Sequence, residues 1–239
     1  MDNSSLDSRK KGFTLIELSL AITFISVLLL AILYITIQAG KLYAKGVTYK
    51  GVNQVSREVV DTMRRDIMAA SVSAIEIPLP SPDPALSPAY AGRMCTGQVS
   101  YVWNTAALLQ NTSSTDRIMD GAVPVVFRRV VDPGKTLCTK DASGRYNKAI
   151  AGMTSTELLK GEGRELAAYT LSIVEMARSG ERKGLYRISM TLGTNETGTT
   201  TYDPTLAAYT CLPPTDNSAN FEYCTVIEFD AIMRAGGNV

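Results

Sequence analysis

Residues 9–41 read R-K-K-G-F-T-L-I-E-L-S-L-A-I-T-F-I-S-V-L-L-L-A-I-L-Y-I-T-I-Q-A-G-K. Three cations and a glycine lead into an apolar run that holds one carboxylate, Glu17, and then no charge until Lys41. The uncharged stretch from Leu18 to Gly40 is 23 residues long. As a helix it reaches roughly 35 Å, enough to cross a bilayer core of about 30 Å. A secretory signal peptide is the rival reading. Its apolar part is only about 7–15 residues and ends in small residues at a cleavage site. Here the run is longer, and Ile32-Leu33-Tyr34-Ile35 stands where small residues belong. The stretch therefore reads as a retained membrane helix. Glu17 is its anomaly, because a charge within such a helix costs about 2.5–3.5 kcal/mol, less near an end. Either it finds a partner or the interface, or it marks the helix start, where the macrodipole favours an anion.

Charge alone does not orient this helix. Arg9, Lys10 and Lys11 precede it and Lys41, Lys45 and Lys50 follow it, so a positive-inside comparison nearly ties. Cysteine breaks the tie. Cys95, Cys138, Cys211 and Cys224 all lie beyond the run. An even count on one side fits disulfides in an oxidising compartment, with buried free thiols as the alternative. That places the bulk of the chain outside the cytoplasm.

Much chemistry is missing from the sequence. There is no histidine, which removes the commonest general base and the commonest transition-metal ligand. A zinc site would need all four thiols, and no C-x-x-C pair occurs. Gly161-Glu162-Gly163-Arg164 lacks the third glycine of a phosphate loop, and Glu162 and Glu165 would repel phosphate. No spaced acidic loop suggests calcium. The formal charge of +1 gives no reason to expect a nucleic-acid partner. We therefore expect no catalytic residue, no metal, no cofactor and no enzyme.

Downstream of Lys41 the helical pattern continues. Val52, Val55, Val59, Met63, Ile67 and Ala70 recur at steps of three and four and form one apolar stripe. Arg57, Glu58, Asp61, Arg64, Arg65 and Asp66 fill the solvated side, with Arg57–Asp61 and Asp61–Arg65 at the i,i+4 spacing of ion pairs. Gly40, Gly46 and Gly51 are weak points where the helix would bend. The helix cannot pass Pro78, after which IPLPSPDPALSP (77–88) reads as an extended loop. The period then changes to two. Gln98–Asn104, Val123–Val131, Tyr169–Met176, Leu185–Leu192 and Thr225–Met233 are strand candidates, with a turn at Ser179–Gly184. Thr154-x-x-Glu157 reads as the capping box of a short helix. Alternation predicts an antiparallel sheet with one wet face, its dry face covered by the 52–70 stripe. This is an α+β layout: a long N-terminal helix packed on an antiparallel β-sheet.

Lys11-Gly12-Phe13-Thr14-Leu15-Ile16-Glu17-Leu18 resembles the class III signal of type IV pilins and pseudopilins, and the likeness extends through the helix to about residue 75. The resemblance implies a basic leader, Met1–Gly12, that a prepilin peptidase removes between Gly12 and Phe13, leaving an N-methylated Phe13. It implies that Glu17 neutralises the terminal amine of a neighbouring subunit. It also implies the disulfide pairs Cys211–Cys224 and Cys95–Cys138, one of the three connectivities that four cysteines allow.

On this likeness the chain divides into a leader (1–12), a transmembrane and filament-core helix (13–40), its amphipathic continuation (41–77) and an extracytoplasmic, β-rich pilin-like domain (78–239). Length and strand pattern are most similar to W-type minor pilins and J-type minor pseudopilins. The implied role is a structural subunit of a type IV pilus, with a pseudopilus of type II secretion or DNA uptake as the alternative. Expected partners are other pilin subunits through the N-terminal helix, the prepilin peptidase, an inner-membrane assembly platform, and membrane lipid before assembly. A signal-anchored extracytoplasmic enzyme is the reading from a different class.

Overall fold

In the computed structural model, residues 13–78, 91–160, 165–179, 183–196, 198–203, 205–206, 208–213 and 223–236 are described. The leader, with Arg9, Lys10, Lys11 and Gly12, lies outside them, as do residues 79–90 of the proline-rich stretch, 161–164 and the turn at 180–182. The chain forms two compact units, one up to Tyr43 and one from Ala44 onward.

Helix α1 spans Leu15–Ala69 and runs without a break through Gly40, Gly46 and Gly51. Nothing stands within 4 Å of a Cβ built at any of these three glycines. The helix ends well before Pro78. Ser71 is already extended, a short 3-10 turn occupies Val72–Ala74, and the Ala70 carbonyl accepts from the Gly236 N–H rather than from a next helical turn. A tertiary hydrogen bond thus sets a boundary that the sequence put at the proline.

The second unit is α+β. Its strands are β1 (Ala91–Cys95), β2 (Val99–Asn104), β3 (Met119–Asp120), β4 (Val123–Pro124), β5 (Phe127–Val131), β6 (Ser155–Glu157), β7 (Leu166–Ser179), β8 (Lys183–Thr194), β9 (Thr200–Asp203), β10 (Ala208–Cys211) and β11 (Val226–Ala235). A short helix α2 covers Ala106–Gln110. All strand pairings are antiparallel: β1-β2-β5-β6 form one sheet, β11-β8-β7 another, and β3-β4 and β9-β10 are two-stranded.

The stripe expected to cover the sheet does so. Val52, Val55, Val59, Met63, Ile67 and Ala70 are buried with Met94, Tyr101, Trp103, Phe127, Leu171, Ile188 and Met190 in the main core. The expectation of one wet face fails for the first sheet. Every residue of β2 is buried, because Val102 and Val130 meet a second core built by Ile118, Val125, Leu137 and Ile150 from the loops beyond. The sheet β11-β8-β7 keeps the expected wet face, where Arg187 pairs with Asp230.

Two further expectations change. Thr154–Glu157 caps no helix: Ser155–Glu157 pairs with β5 as β6. Glu157 is recruited by the sheet, accepting from the Phe127 N–H at 2.9 Å and pairing with Arg128 at 3.3 Å. On α1, Asp61 pairs with Arg64 at 3.2 Å, one turn position short of the expected Arg57 and Arg65. Asp66 is not a solvated residue. It accepts the Tyr101 hydroxyl and takes Arg129 in a fork, from Nε at 2.6 Å and Nη2 at 3.1 Å. This joins the amphipathic helix to the first sheet.

Both disulfides are formed, Cys95–Cys138 and Cys211–Cys224. The first ties β1 to the loop after β5. That loop is organised by Asp132, whose carboxylate accepts from Ser100 Oγ (2.8 Å), the Thr136 N–H (2.9 Å), the Thr136 hydroxyl (2.9 Å) and the Leu137 N–H (3.1 Å). Burial pushes this carboxyl up, but its four hydrogen bonds overcome burial and hold it below the ordinary carboxylate value. Arg93 fastens the same loop. Its guanidinium donates to the Leu137 carbonyl at 2.6 Å and the Asn147 carbonyl at 2.9 Å and lies over the Tyr146 ring. Burial pushes this guanidinium down to about 10.

Candidate functional site: the exposed N-terminal helix

The first unit consists of the start of α1. Every described residue from Phe13 to Tyr43 is exposed. Its apolar side chains have no cover on any face: Phe13 is 87 % exposed, Phe24 67 % and Leu30 66 %. A helix that is apolar on every face is one that its surroundings bury, and here no described residue supplies that cover. The helix is long and apolar enough to cross a membrane.

Its serine and threonine hydroxyls bond back to their own helix. Ser19 Oγ donates to the Ile16 carbonyl (2.9 Å), Thr23 Oγ1 to those of Ser19 (3.0 Å) and Leu20 (2.9 Å), Ser26 Oγ to Ile22 (2.8 Å) and Thr36 Oγ1 to Ile32 (2.8 Å). Each Ser and Thr hydroxyl between residues 19 and 36 is therefore satisfied by its own helix. Such back-bonding slightly disfavours a helix in water and suits one in lipid, where an unpaired donor is far more costly.

The helix start explains Glu17 locally. Thr14 is the N-cap. Its N–H donates to Glu17 Oε2 at 2.9 Å, its hydroxyl donates to the same oxygen at 2.9 Å, and the Glu17 N–H donates to Thr14 Oγ1 at 3.3 Å. This is a reciprocal capping box at N-cap and N3, and it satisfies two of the donors that a helix start leaves open. The signal for it, Thr-x-x-Glu ahead of an apolar run, was present in the sequence. The same pattern at Thr154 caps no helix. Glu17 thus has a partner within its own helix. One of its two oxygens, Oε1, receives none of the three bonds.

Of the residues singled out by the sequence, the structure places Phe13 and Glu17 together at this start, and the four cysteines pair with one another in the second unit. Among the described residues no three His, Cys, Asp or Glu side chains converge as a metal site would require. The residues missed by sequence reasoning are Thr14 and the trio Asp66, Tyr101 and Arg129. No protein-family model, no curated protein and no solved structure matches this chain.

Proposed function

We propose that the chain is a minor subunit of a type IV pilus, held in the bilayer by residues 13–40 until it joins the filament. One observation carries the reading: the sequence Lys11-Gly12-Phe13-Thr14-Leu15-Ile16-Glu17-Leu18 leads into a helix from Leu15 whose apolar side chains are exposed up to Tyr43. Lipid covers such a helix before assembly and the equivalent helices of neighbouring subunits cover it afterwards. The exchange is nearly neutral for the apolar surface, since lipid tails are as apolar as leucine. What decides it is then close packing and charge.

On this reading a prepilin peptidase cuts after Gly12, and Phe13 becomes the first residue, methylated on its amine. Glu17 Oε1, unused by the capping box, accepts the amine of a neighbouring subunit. An ammonium and a carboxylate are each costly alone in a medium of low dielectric and relieve one another when paired. The disulfide-linked α+β unit faces away from the cytoplasm, which agrees with two disulfides in that unit.

The test is N-terminal sequencing with intact mass of protein purified from a host that carries a prepilin peptidase. A chain beginning at methylated Phe13 supports the reading. An intact Met1 after co-expression with an active peptidase overturns it.

A further inference from the structure

The wet face of the sheet β11-β8-β7 is apolar at one end. Directly opposed residues share a face, so the register sorts that face into rows across the three strands. Val174, Arg187 and Ile232 form one row, and Ala177, Leu185 and Arg234 form the next. Ser179 and Lys183 close the sheet beyond them, and Ser172, Ser189 and Asp230 make a polar row on the other side. Val174 is 50 % exposed, Leu185 41 % and Ile232 61 %. Two rows thus carry three large apolar side chains open to solvent. Beside them, at the corner of the sheet, lies a cavity of about 360 Å³, lined in part by Ser179, Lys183, Leu185 and Arg234.

Charge at this corner has one sign. Lys183 and Arg187 flank Leu185 along its own strand, and Arg234 stands opposite it. The acids at this end of the sheet are already engaged: Asp230 holds Arg187, and Glu175 is forked by Arg178 at 2.7 and 3.1 Å. Lys183 and Arg234 are exposed and, among the described residues, form no ion pair. The turn between β7 and β8, outside those residues, brings one acid and one base, Glu181 and Arg182. Diagonal neighbours on adjacent strands lie about 7–8 Å apart, so a single carboxylate placed between Lys183 and Arg234 is within reach of both.

We propose that this corner binds an acidic segment of a partner protein. A carboxylate of the segment enters the cavity between Lys183 and Arg234, and an apolar side chain next to it covers Leu185 and the row of Val174 and Ile232. Charge and dimensions choose the occupant. Two cations without a counter-charge call for an anion. A free phosphate or a nucleic-acid backbone would leave the apolar rows open to water. A lipid brings an apolar part, but two rows span only about 7 Å along the strands and three strands only about 10 Å across them. That is room for one or two side chains and not for an acyl chain. A carboxylate beside an apolar side chain matches both halves of the corner.

The probe is a dye-labelled peptide of sequence Glu-Glu-Leu-Glu-Glu with both ends blocked, titrated by fluorescence anisotropy against the full chain in detergent micelles. Its controls carry glutamine for each glutamate, or serine for the leucine. Saturable binding of the parent peptide is expected. Lys183→Gln with Arg234→Gln weakens it about three- to thirtyfold, the range of two exposed ion pairs. Ile232→Ser weakens it about three- to tenfold. Lys50→Gln with Arg57→Gln, the same change of net charge on exposed positions of α1, leaves it unchanged. Fluorescence of the buried Trp103 confirms that each variant is folded. Absence of saturable binding overturns the proposal, as does equal binding of the glutamine peptide, of the serine peptide or by the Lys183 and Arg234 double variant. Displacement of the peptide by phosphatidylglycerol added to the micelles makes lipid the occupant and overturns it too, and so does dimerisation of the full chain that the double variant abolishes. None of these outcomes bears on whether Phe13 becomes the mature N-terminus.

Discussion

Replacing Asp66 by alanine should be among the most damaging single changes on the amphipathic half of α1. The Asp66 side chain is 17 % exposed and its partner Arg129 31 %, while Tyr101 is fully buried. Removing one member of a buried, hydrogen-bonded pair costs about 3–5 kcal/mol because the other charge is left uncompensated. Arg129 keeps some contact with water, which recovers part of that. The Tyr101 hydroxyl does not, and a buried donor without an acceptor costs about 1–3 kcal/mol. The net expectation is a loss of about 2–4 kcal/mol. For a unit of this size that is a fall in melting temperature of about 5–12 °C.

The chain contains its own reporter. Trp103 is the only tryptophan, 3 % exposed and edge-on to Phe127 at 5.8 Å between ring centroids. Its fluorescence follows unfolding of the second unit without interference from the first, which contains no tryptophan. The matched control is Asp61→Ala. Asp61 lies one and a half turns away on the same helix in an exposed pair with Arg64, worth under about 0.5 kcal/mol. A cycle with Tyr101→Phe should show a coupling of about 1–2 kcal/mol with Asp66→Ala, since the two share one hydrogen bond. If Asp66→Ala and Asp61→Ala destabilise equally, the joint between helix and sheet has been misread.

Three further outcomes are expected. Replacing both cysteines of a pair by serine should cost about 4 kcal/mol for Cys95–Cys138 and about 3 kcal/mol for Cys211–Cys224, from loops of 43 and 13 residues, read as urea midpoints of each variant. The Asp132 carboxyl lies below its ordinary value in the folded chain, so its contribution is present above the unfolded carboxylate pKa near about 4 and is lost as pH falls through the folded value. Asp132→Asn should therefore lower the urea midpoint at pH 7 and flatten its decline in acid, and an unchanged acid profile would rule out this role. At the helix start, Glu17→Gln keeps an acceptor for the Thr14 N–H but removes the charge, whereas Glu17→Ala removes both. If filament yield depends on charge, both variants should fail to assemble; if Glu17→Gln assembles like the parent, capping alone accounts for Glu17.

The parts of this fold that sequence reasoning reached are those set by local period. The 23-residue apolar run, the stripe from Val52 to Ala70 and the alternation along β8 and β11 each repeat at the spacing of a helix or strand, so neighbours in sequence carry the information. What it did not reach depends on partners far along the chain. β2 looks half wet because Ser100 and Asn104 are polar. Yet Ser100 meets Asp132, and Asn104 donates to the Ile118 and Val125 carbonyls, so these two polar side chains sit inside a core with hydrogen-bond partners. Asp66 looks solvated in the sequence for the same reason: nothing within a helical turn of it reveals Arg129, 63 residues away. Glu157 was drawn to a capping reading by its local motif, and pairing with β5 overrode that motif.

Glu17 is the converse case: of its two readings, a partner elsewhere or a mark of the helix start, the local one is met by the bonds to Thr14. The capping box changes what has to be explained at the membrane. Without it, the exposed donors of the first turn and an isolated carboxylate would both oppose burial in lipid. With it, Thr14 and Glu17 satisfy one another, and the hydroxyls of Ser19, Thr23, Ser26 and Thr36 satisfy themselves. The helix therefore carries fewer unsatisfied polar groups into an apolar phase, the negative charge of Glu17 foremost among those that remain. Apolar packing among such helices gains little over packing with lipid. If the chain assembles as proposed, the Glu17 charge is a term that can distinguish a correctly staggered neighbour, bearing an amine at the same depth, from a wrongly staggered one.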